Sequence, residues 1–588
     1  MKQKHDNMVF YLVFALLACC QLFVMSQFEL FGDEAFYWLE GQHLAWSYAE
    51  LPGLTAWVMA FAEWLFPHHP FFLRLIPWLA AACLPFLVLA VNKLIHPQSA
   101  SHHPAHLFWS LPLVGLVSVL SLPDIWLLFF TVLCVFLFLQ ASKKHHTFWF
   151  ILLGLALALG INVHLRFWLV AAIIGTVTLI TYWHHKTTLF KLITISLPLA
   201  LIGLIPILYF NLQHDFPLLA FQLKDRHPWE FQLDHLYFIP VQILVTTPFV
   251  MLLFLKLIPK SKSYWSKLKA DQKLLISTAL AHWMLYFLLG FFSDNLRLNL
   301  HWPLLSYVLL FCAFSYNKPS TLVKWAIGSG TIAHFSLLIT LAFWSQQTPL
   351  SQANQRITGH AQGWSELAET TQQLMQAHRK TDILADHFMT SAALAYQFDS
   401  IKNINTLPHP LSDKHGRSLQ LQIMGFQSPS QHAENSLIVI EQTAIKLQDQ
   451  VEYYQMLCQQ LGGLQLLSQM NTKSGNKTYH FFEQHKGQCD MPALFYGSNK
   501  DSIYRGWVLT EKDQLASLAW AHTNQKRTVP FVQQGIEGHE MFSVLDPNDY
   551  VLNSFEASIS DCSNCDYQLT ATFKNHSQPK QTSQRFYP

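Results

Sequence analysis

The sequence predicts a polytopic α-helical membrane protein followed by a soluble tail, and three observations carry that class. Of 588 residues, 51% are hydrophobic and 13% charged, where an ordinary soluble protein carries roughly 25% charged residues. Apolar runs close to the roughly 20 residues that a bilayer-crossing helix needs recur down the chain and stop near residue 346. Between them the cationic residues alternate in position, as cytoplasmic loops enriched in Lys and Arg require. The 38 Lys+Arg against 36 Asp+Glu give a net charge of +2, which excludes a basic field for nucleic acid.

The runs number about eleven: 8–27, 71–95, 107–122, 124–141, 147–163, 167–183, 191–210, 237–258, 274–292, 302–316 and 321–344. The first imitates a signal peptide, but it is too long for one and other spans follow, so it reads as an uncleaved helix. Lys2 and Lys4, Lys143 and Lys144, Lys186 and Lys191, the cluster from Lys256 to Lys273, and Lys318 and Lys324 all fall on one side, read as cytoplasmic. An odd number of spans then places the tail on the outer side.

The opposite loops hold the acidic residues. Asp33 and Glu34 follow the first run among aromatic side chains, where charge is costly beside a bilayer; the plainer reading is a solvated pair just past a span. Residues 35–48 and 52–66, broken at Pro52-Gly53, are amphipathic and aromatic, fit to lie in the interface. Arg74 opens the second run, either snorkelling to headgroups or pairing with a carboxylate. Asp124, in a turn too short for a domain, is either a second surface carboxylate or a Pro-Asp helix cap. His164 and Arg166 occupy another tight outer turn. The loop 211–236 brings Lys224, Asp225 and Arg226, and Arg297 and His301 end the last polar loop. Arg and Lys in such positions suit a lipid phosphate, and four outer loops converging on one face is the pattern of a site.

The tail turns polar and mixed. Strands at 382–386 and 436–441 with helices at 390–398 and 451–462 predict an α/β domain over 346–488, and short strands beyond predict a β-rich, sandwich-like domain over 489–588. Five of nine cysteines lie in apolar runs. The other four, Cys458, Cys489, Cys562 and Cys565, are an even set in the tail, read as two disulfides, most simply Cys458 with Cys489 and Cys562 with Cys565. The CxxC spacing of the second pair also occurs in redox and half-zinc sites.

Gly32-Asp-Glu-Ala-Phe-Tyr-Trp-Leu39, with Gln42-His-Leu and Trp46-Ser-Tyr after it, resembles the first outer loop of bacterial family 39 membrane glycosyltransferases, relatives of the protein O-mannosyltransferases and of the lipid A aminoarabinose transferase. The likeness continues through Leu122-Pro-Asp124, Asn211-Leu-Gln-His-Asp215 and His301-Trp-Pro303, and covers roughly residues 1–400. One departure is Glu50-Leu51-Pro52-Gly53, where many relatives carry Asp-His-Pro-Pro. The resemblance implies a C-type glycosyltransferase architecture and inverting transfer from a polyprenyl-phosphate sugar to an acceptor hydroxyl on a lipid, glycan or protein. In that chemistry a carboxylate accepts the hydroxyl proton, and Asp33 is the nominated base. Glu34 would orient the acceptor or the base, and Asp124 would be a second acidic group. Arg226, Arg297, Lys224 and Arg166 are nominated for the donor phosphate, with Arg74, Glu50, His164 and His301 as further candidates. No cofactor is required; Asp33, Glu34 and Asp124 are the carboxylates open to a divalent metal.

Overall fold

The computed structural model describes residues 2–226, 230–233, 236, 238–259, 261–292, 300–343, 360–427, 433–472, 477–487, 489–500, 503–512, 515–522, 525–536, 550–558, 567–573 and 581–586. The chain folds as two compact units. The first comprises Met1–Trp344 with Lys414–Gln420, the second Ser345–Asp413 with Leu421–Pro588.

The first unit is helical. It begins with α1 (Lys2–Gln27), α2 (Gly32–Gln42), α3 (Leu54–Leu65) and α4 (Pro70–Ile95). Next come two seven-residue helices, α5 (His103–Trp109) and α6 (Pro112–Ser118), and then α7 (Pro123–Lys144), α8 (Thr147–Ile161) and α9 (Leu165–Thr181). Among the described residues five helices are long and apolar enough to cross a membrane: His5–Gln27 within α1, α4, α7, Ala270–Gly290 and Thr321–Ala342. The number is seven if each of two bent pairs counts as one span. At about 1.5 Å per residue, 21 residues or more cover the roughly 30 Å hydrocarbon core.

Part of the difference from eleven straight runs has a local cause, which is proline. In the run 237–258, Pro248 has no amide hydrogen and bars its predecessor from helical backbone. Thr247 takes φ 76° and ψ 147°, and the two half-helices meet at 103°. In the run 107–122, Leu111 before Pro112 is extended, so α5 and α6 separate. Runs 147–163, 167–183 and 302–316 form helices of 15, 17 and 9 residues. Pro77 and Pro85 lie within α4 without ending it.

Leu84, Val88 and Val91 of α4 and Val132, Val135 and Leu139 of α7 are fully or almost fully buried in one apolar core with Leu305, Val308 and Leu309. The free cysteines Cys134 and Cys312 are buried in it too.

In the second unit a five-stranded sheet runs β2-β1-β3-β5-β4, from β1 (Asp382–Ala385), β2 (Ile404–Thr406), β3 (Ser436–Glu441), β4 (Gln465–Asn471) and β5 (Thr478–Glu483). β1 pairs in parallel with β2 and β3, while β5 pairs antiparallel with β3 and β4. All six residues of β3 are buried, as expected for a strand covered on both faces. Eight further strands follow: β6 (Leu494–Lys500), β7 (Ile503–Glu511), β8 (Leu515–His522), β9 (Gln525–Val529), β10 (Phe531–Gly535), β11 (Tyr550–Ser558), β12 (Tyr567–Phe573) and β13 (Gln581–Phe586), in two four-stranded antiparallel sheets ordered β10-β11-β7-β6 and β13-β12-β8-β9. Phe495, Val508 and Phe555 of one share an apolar cluster with Leu518, Val529 and Leu569 of the other. Cys458 and Cys489 are joined as a disulfide; the pair Cys562 and Cys565 lies outside the described residues.

Candidate active site

Two clusters of charge form where the ends of the first unit's helices meet. The first is built on the opening turn of α2. Phe31 is extended, and Glu34, three residues into the helix, accepts from the Phe31 amide at 2.9 Å, one half of a capping box that helps fix where the helix starts.

Adjacent residues on a helix are about 100° apart, so Asp33 and Glu34 meet different surroundings. Glu34 is fully buried. Its oxygens accept from Arg74 Nη2 at 2.7 Å and Nε at 3.0 Å, and from the Ser121 amide at 2.6 Å. Arg74 spends its other donors on the carbonyls of Met25, Phe28 and Glu29. The nominated role of orienting the acceptor therefore does not suit Glu34: its side chain is closed off from any substrate. It ties α2 to α4 and to the turn before α7, and it answers the open question about Arg74, which pairs instead of snorkelling.

Asp33, in contrast, is 30% exposed in its side chain. One oxygen accepts from Arg417 Nη1 at 2.6 Å. The Arg417 guanidinium also lies 3.6 Å from Glu50 and stacks over Phe36 at 4.6 Å and Tyr37 at 5.4 Å. Behind it are two buried carboxyl groups. Burial, followed by the Glu50 charge, holds Glu40 well above the usual carboxylate range. Burial also pushes Glu50 up to about 7, against the pull of Arg417.

The second cluster centres on Asp124 at the second residue of α7. Its Oδ1 accepts from Arg166 Nη2 at 2.7 Å and lies 2.8 Å from His301 Nε2. Arg166 sits over the Trp302 ring at 4.9 Å. His164 caps α9, its Nδ1 accepting the Arg166 amide at 3.0 Å. Burial first, then Arg166 and Arg226, hold His164 far below the usual imidazole range, so it is neutral. A cavity of about 20 Å³ beside Asp124, Arg166, His301 and Trp302 has room for roughly one water.

Gln222 joins the clusters. It donates to the Glu50 carbonyl at 2.6 Å and accepts from Arg226 at 2.7 Å, and Arg226 in turn lies 3.4 Å from His164 Nε2. Sequence reading thus named Asp33, Asp124, Arg166, Arg226, His164, His301 and Glu50, which the structure brings into one network. Lys224 is exposed, and Arg297 lies outside the described residues. The carboxylates open to a metal make no shared ligand set: Glu34 is enclosed with Arg74, Asp33 is held by Arg417 and Asp124 by Arg166 and His301.

Reading the residues alone missed Arg417, Glu40 and Gln222. Arg417 stands 384 residues from its partner Asp33, and no local pattern marks it. Gln222 is an ordinary amide in a polar loop, and Glu40 follows an aromatic run without any partner nearby in sequence.

Membrane-crossing helices whose ends gather carboxylates and cations, joined to a sheet-containing tail, form a fold that known proteins share. Residues 31–222, about a third of the chain, match the family described as dolichyl-phosphate-mannose-protein mannosyltransferase. It is 28% identical over 194 residues to lipid A galacturonosyltransferase RgtD of Rhizobium johnstonii, spanning 39% of that relative's length and 32% of its own. The fold is similar to ArnT from Cupriavidus metallidurans: TM-score 0.55 in the apo state at 12% identity, over 81% of this chain and 98% of that one. For ArnT bound to undecaprenyl phosphate the TM-score is 0.52, over 80% and 97%.

Proposed function

We propose that this protein is an inverting glycosyltransferase that takes a sugar from a polyprenyl-phosphate donor at the outer face of the inner membrane, with its N-terminus cytoplasmic and its tail outside. The observation that carries the reading is the pair of carboxylates, Asp33 and Asp124, set among Arg417, Arg166 and Arg226 in one hydrogen-bonded network at the helix ends. The likeness to ArnT bound to undecaprenyl phosphate supports the donor class, and that to a lipid A galacturonosyltransferase supports sugar transfer.

The chemistry needs a base on one side of the anomeric carbon and positive charge on the other. An acceptor hydroxyl attacks that carbon as the bond from it to the phosphate oxygen breaks; the hydroxyl proton passes to Asp33, and polyprenyl phosphate leaves with an added negative charge. Asp33 suits the base because its carboxylate is paired with Arg417 yet partly open. Arg166 and Arg226 face the leaving phosphate, with Lys224 from the loop of Arg226 and Arg297 from the last polar loop as further cations. Asp124 holds Arg166 and His301 in register, and neutral His164 supports Arg226.

The test is the full-length protein in lipid nanodiscs with a panel of radiolabelled polyprenyl-phosphate sugars and an envelope lipid extract as acceptor. Label should leave one donor class and appear in a product of inverted anomeric configuration. Retained configuration, or donor consumed only as free sugar, contradicts the reading.

A further inference from the structure

The segment Lys414–Gln420 belongs to the membrane-helix unit although the residues on either side of it in sequence belong to the other. Three contacts hold it there. Arg417 is 3% exposed and pairs with Asp33. The Gln420 side chain accepts from the Ala49 amide at 2.8 Å. Gly416 has φ +70°, and a Cβ there would stand 2.5 Å from the Phe221 ring, so only glycine lets the strand of chain pass. Ala49, Glu50 and Phe221 neighbour the groups that Gln222 bridges, so the segment closes over the side of the site nearest the base.

We propose that this strap is part of the active site and that Arg417 is a positioning residue for Asp33. The inference rests on the transferase reading above and adds to it a group supplied from sequence far outside the membrane helices. A buried guanidinium at 2.6 Å stabilises the ionised carboxylate and orients it, and it does so against Glu50, Glu40 and Tyr37, the other titratable groups facing it. Arg417 balances the carboxylates while stacked on Phe36 and Tyr37, which denies it other orientations. Lysine cannot copy this, because its single ammonium has no fork to address Asp33 and Glu50 together.

The experiment compares wild type, R417Q and R417K, full length in nanodiscs, with two readouts. The first is the titration midpoint of the Asp33 carboxyl, taken from infrared difference spectra with D33N as the subtraction control. The second is the pH profile of kcat for transfer. R417Q is expected to raise the Asp33 midpoint by about 1–3 pH units and to move the acid limb of the profile by the same amount. R417K, which preserves the charge and spares the fold, should fall between. An Asp33 midpoint that is unmoved in both variants, or a rate that drops uniformly with its acid limb in place, would overturn the role. If wild type transfers from no donor, only the transferase reading falls; the midpoint still decides whether Arg417 controls Asp33.

Discussion

Asp33 and Glu34 are chemically alike and adjacent, yet one helix step separates an enclosed strut from an open carboxylate. Conservative changes should therefore part them. E34Q leaves Arg74 buried without its counter-charge, and breaking one side of such a pair costs about 3–5 kcal/mol; it should show as a lower thermal midpoint in nanodiscs. D33N should lower that midpoint less, since Asp33 is 30% exposed and Arg417 keeps Glu50 at 3.6 Å. Arg166 and Arg226 contact the phosphate in this account, so R166Q or R226Q should raise the donor KM by roughly tenfold or more, as loss of a charged hydrogen bond costs about 1.5–3 kcal/mol. Glu50 gives a pH signature of stability. Its ordinary value is 4.5 and the fold raises it to about 7, so the folded state binds the proton more tightly. That contribution is full below about 4.5 and is lost as pH rises through about 7. Thermal midpoints measured across that window should fall with rising pH, and E50Q should flatten the slope.

At the level of elements, what was legible followed from local rules. The ends of apolar runs marked where Asp33 and Asp124 sit, and four loops with cations between runs announced a shared face. What escaped had no local rule behind it. The run 237–258 reads as one span by hydropathy, but the Thr247-Pro248 step turns it through 103°, a consequence of proline geometry that composition does not weigh. The pairing of Asp33 with a residue 384 positions away is a tertiary fact, invisible to any window. Asp33 is nominated over Glu34 by resemblance, but that Glu34 is an enclosed partner of Arg74 depends on which helix face α4 covers. In the tail, short continuous apolar runs foretold β1 and β3, whereas the short edge strand β2 carries too few residues to announce itself. The Cys458–Cys489 disulfide closes a loop with a sequence separation of 31, and C458S should lower the stability of the second unit by about 2–4 kcal/mol, measurable by protease sensitivity.

Across the whole molecule, membrane helices supply an apolar scaffold and their ends supply charge that the bilayer would not accept. Each exposed function is bought by a buried counterpart: Glu34 with Arg74 holds α2 so that Asp33 can face the site, and His164 caps α9 so that Arg166 can reach Asp124. The central claim is that Asp33 is the base of a transfer reaction. The most direct measurement is single-turnover sugar transfer from a polyprenyl-phosphate donor by wild type and D33N in nanodiscs, with donor binding measured on the same samples. The account predicts that D33N binds donor as wild type does and transfers it about 10²–10⁴-fold more slowly. Transfer by D33N at the wild-type rate would contradict it.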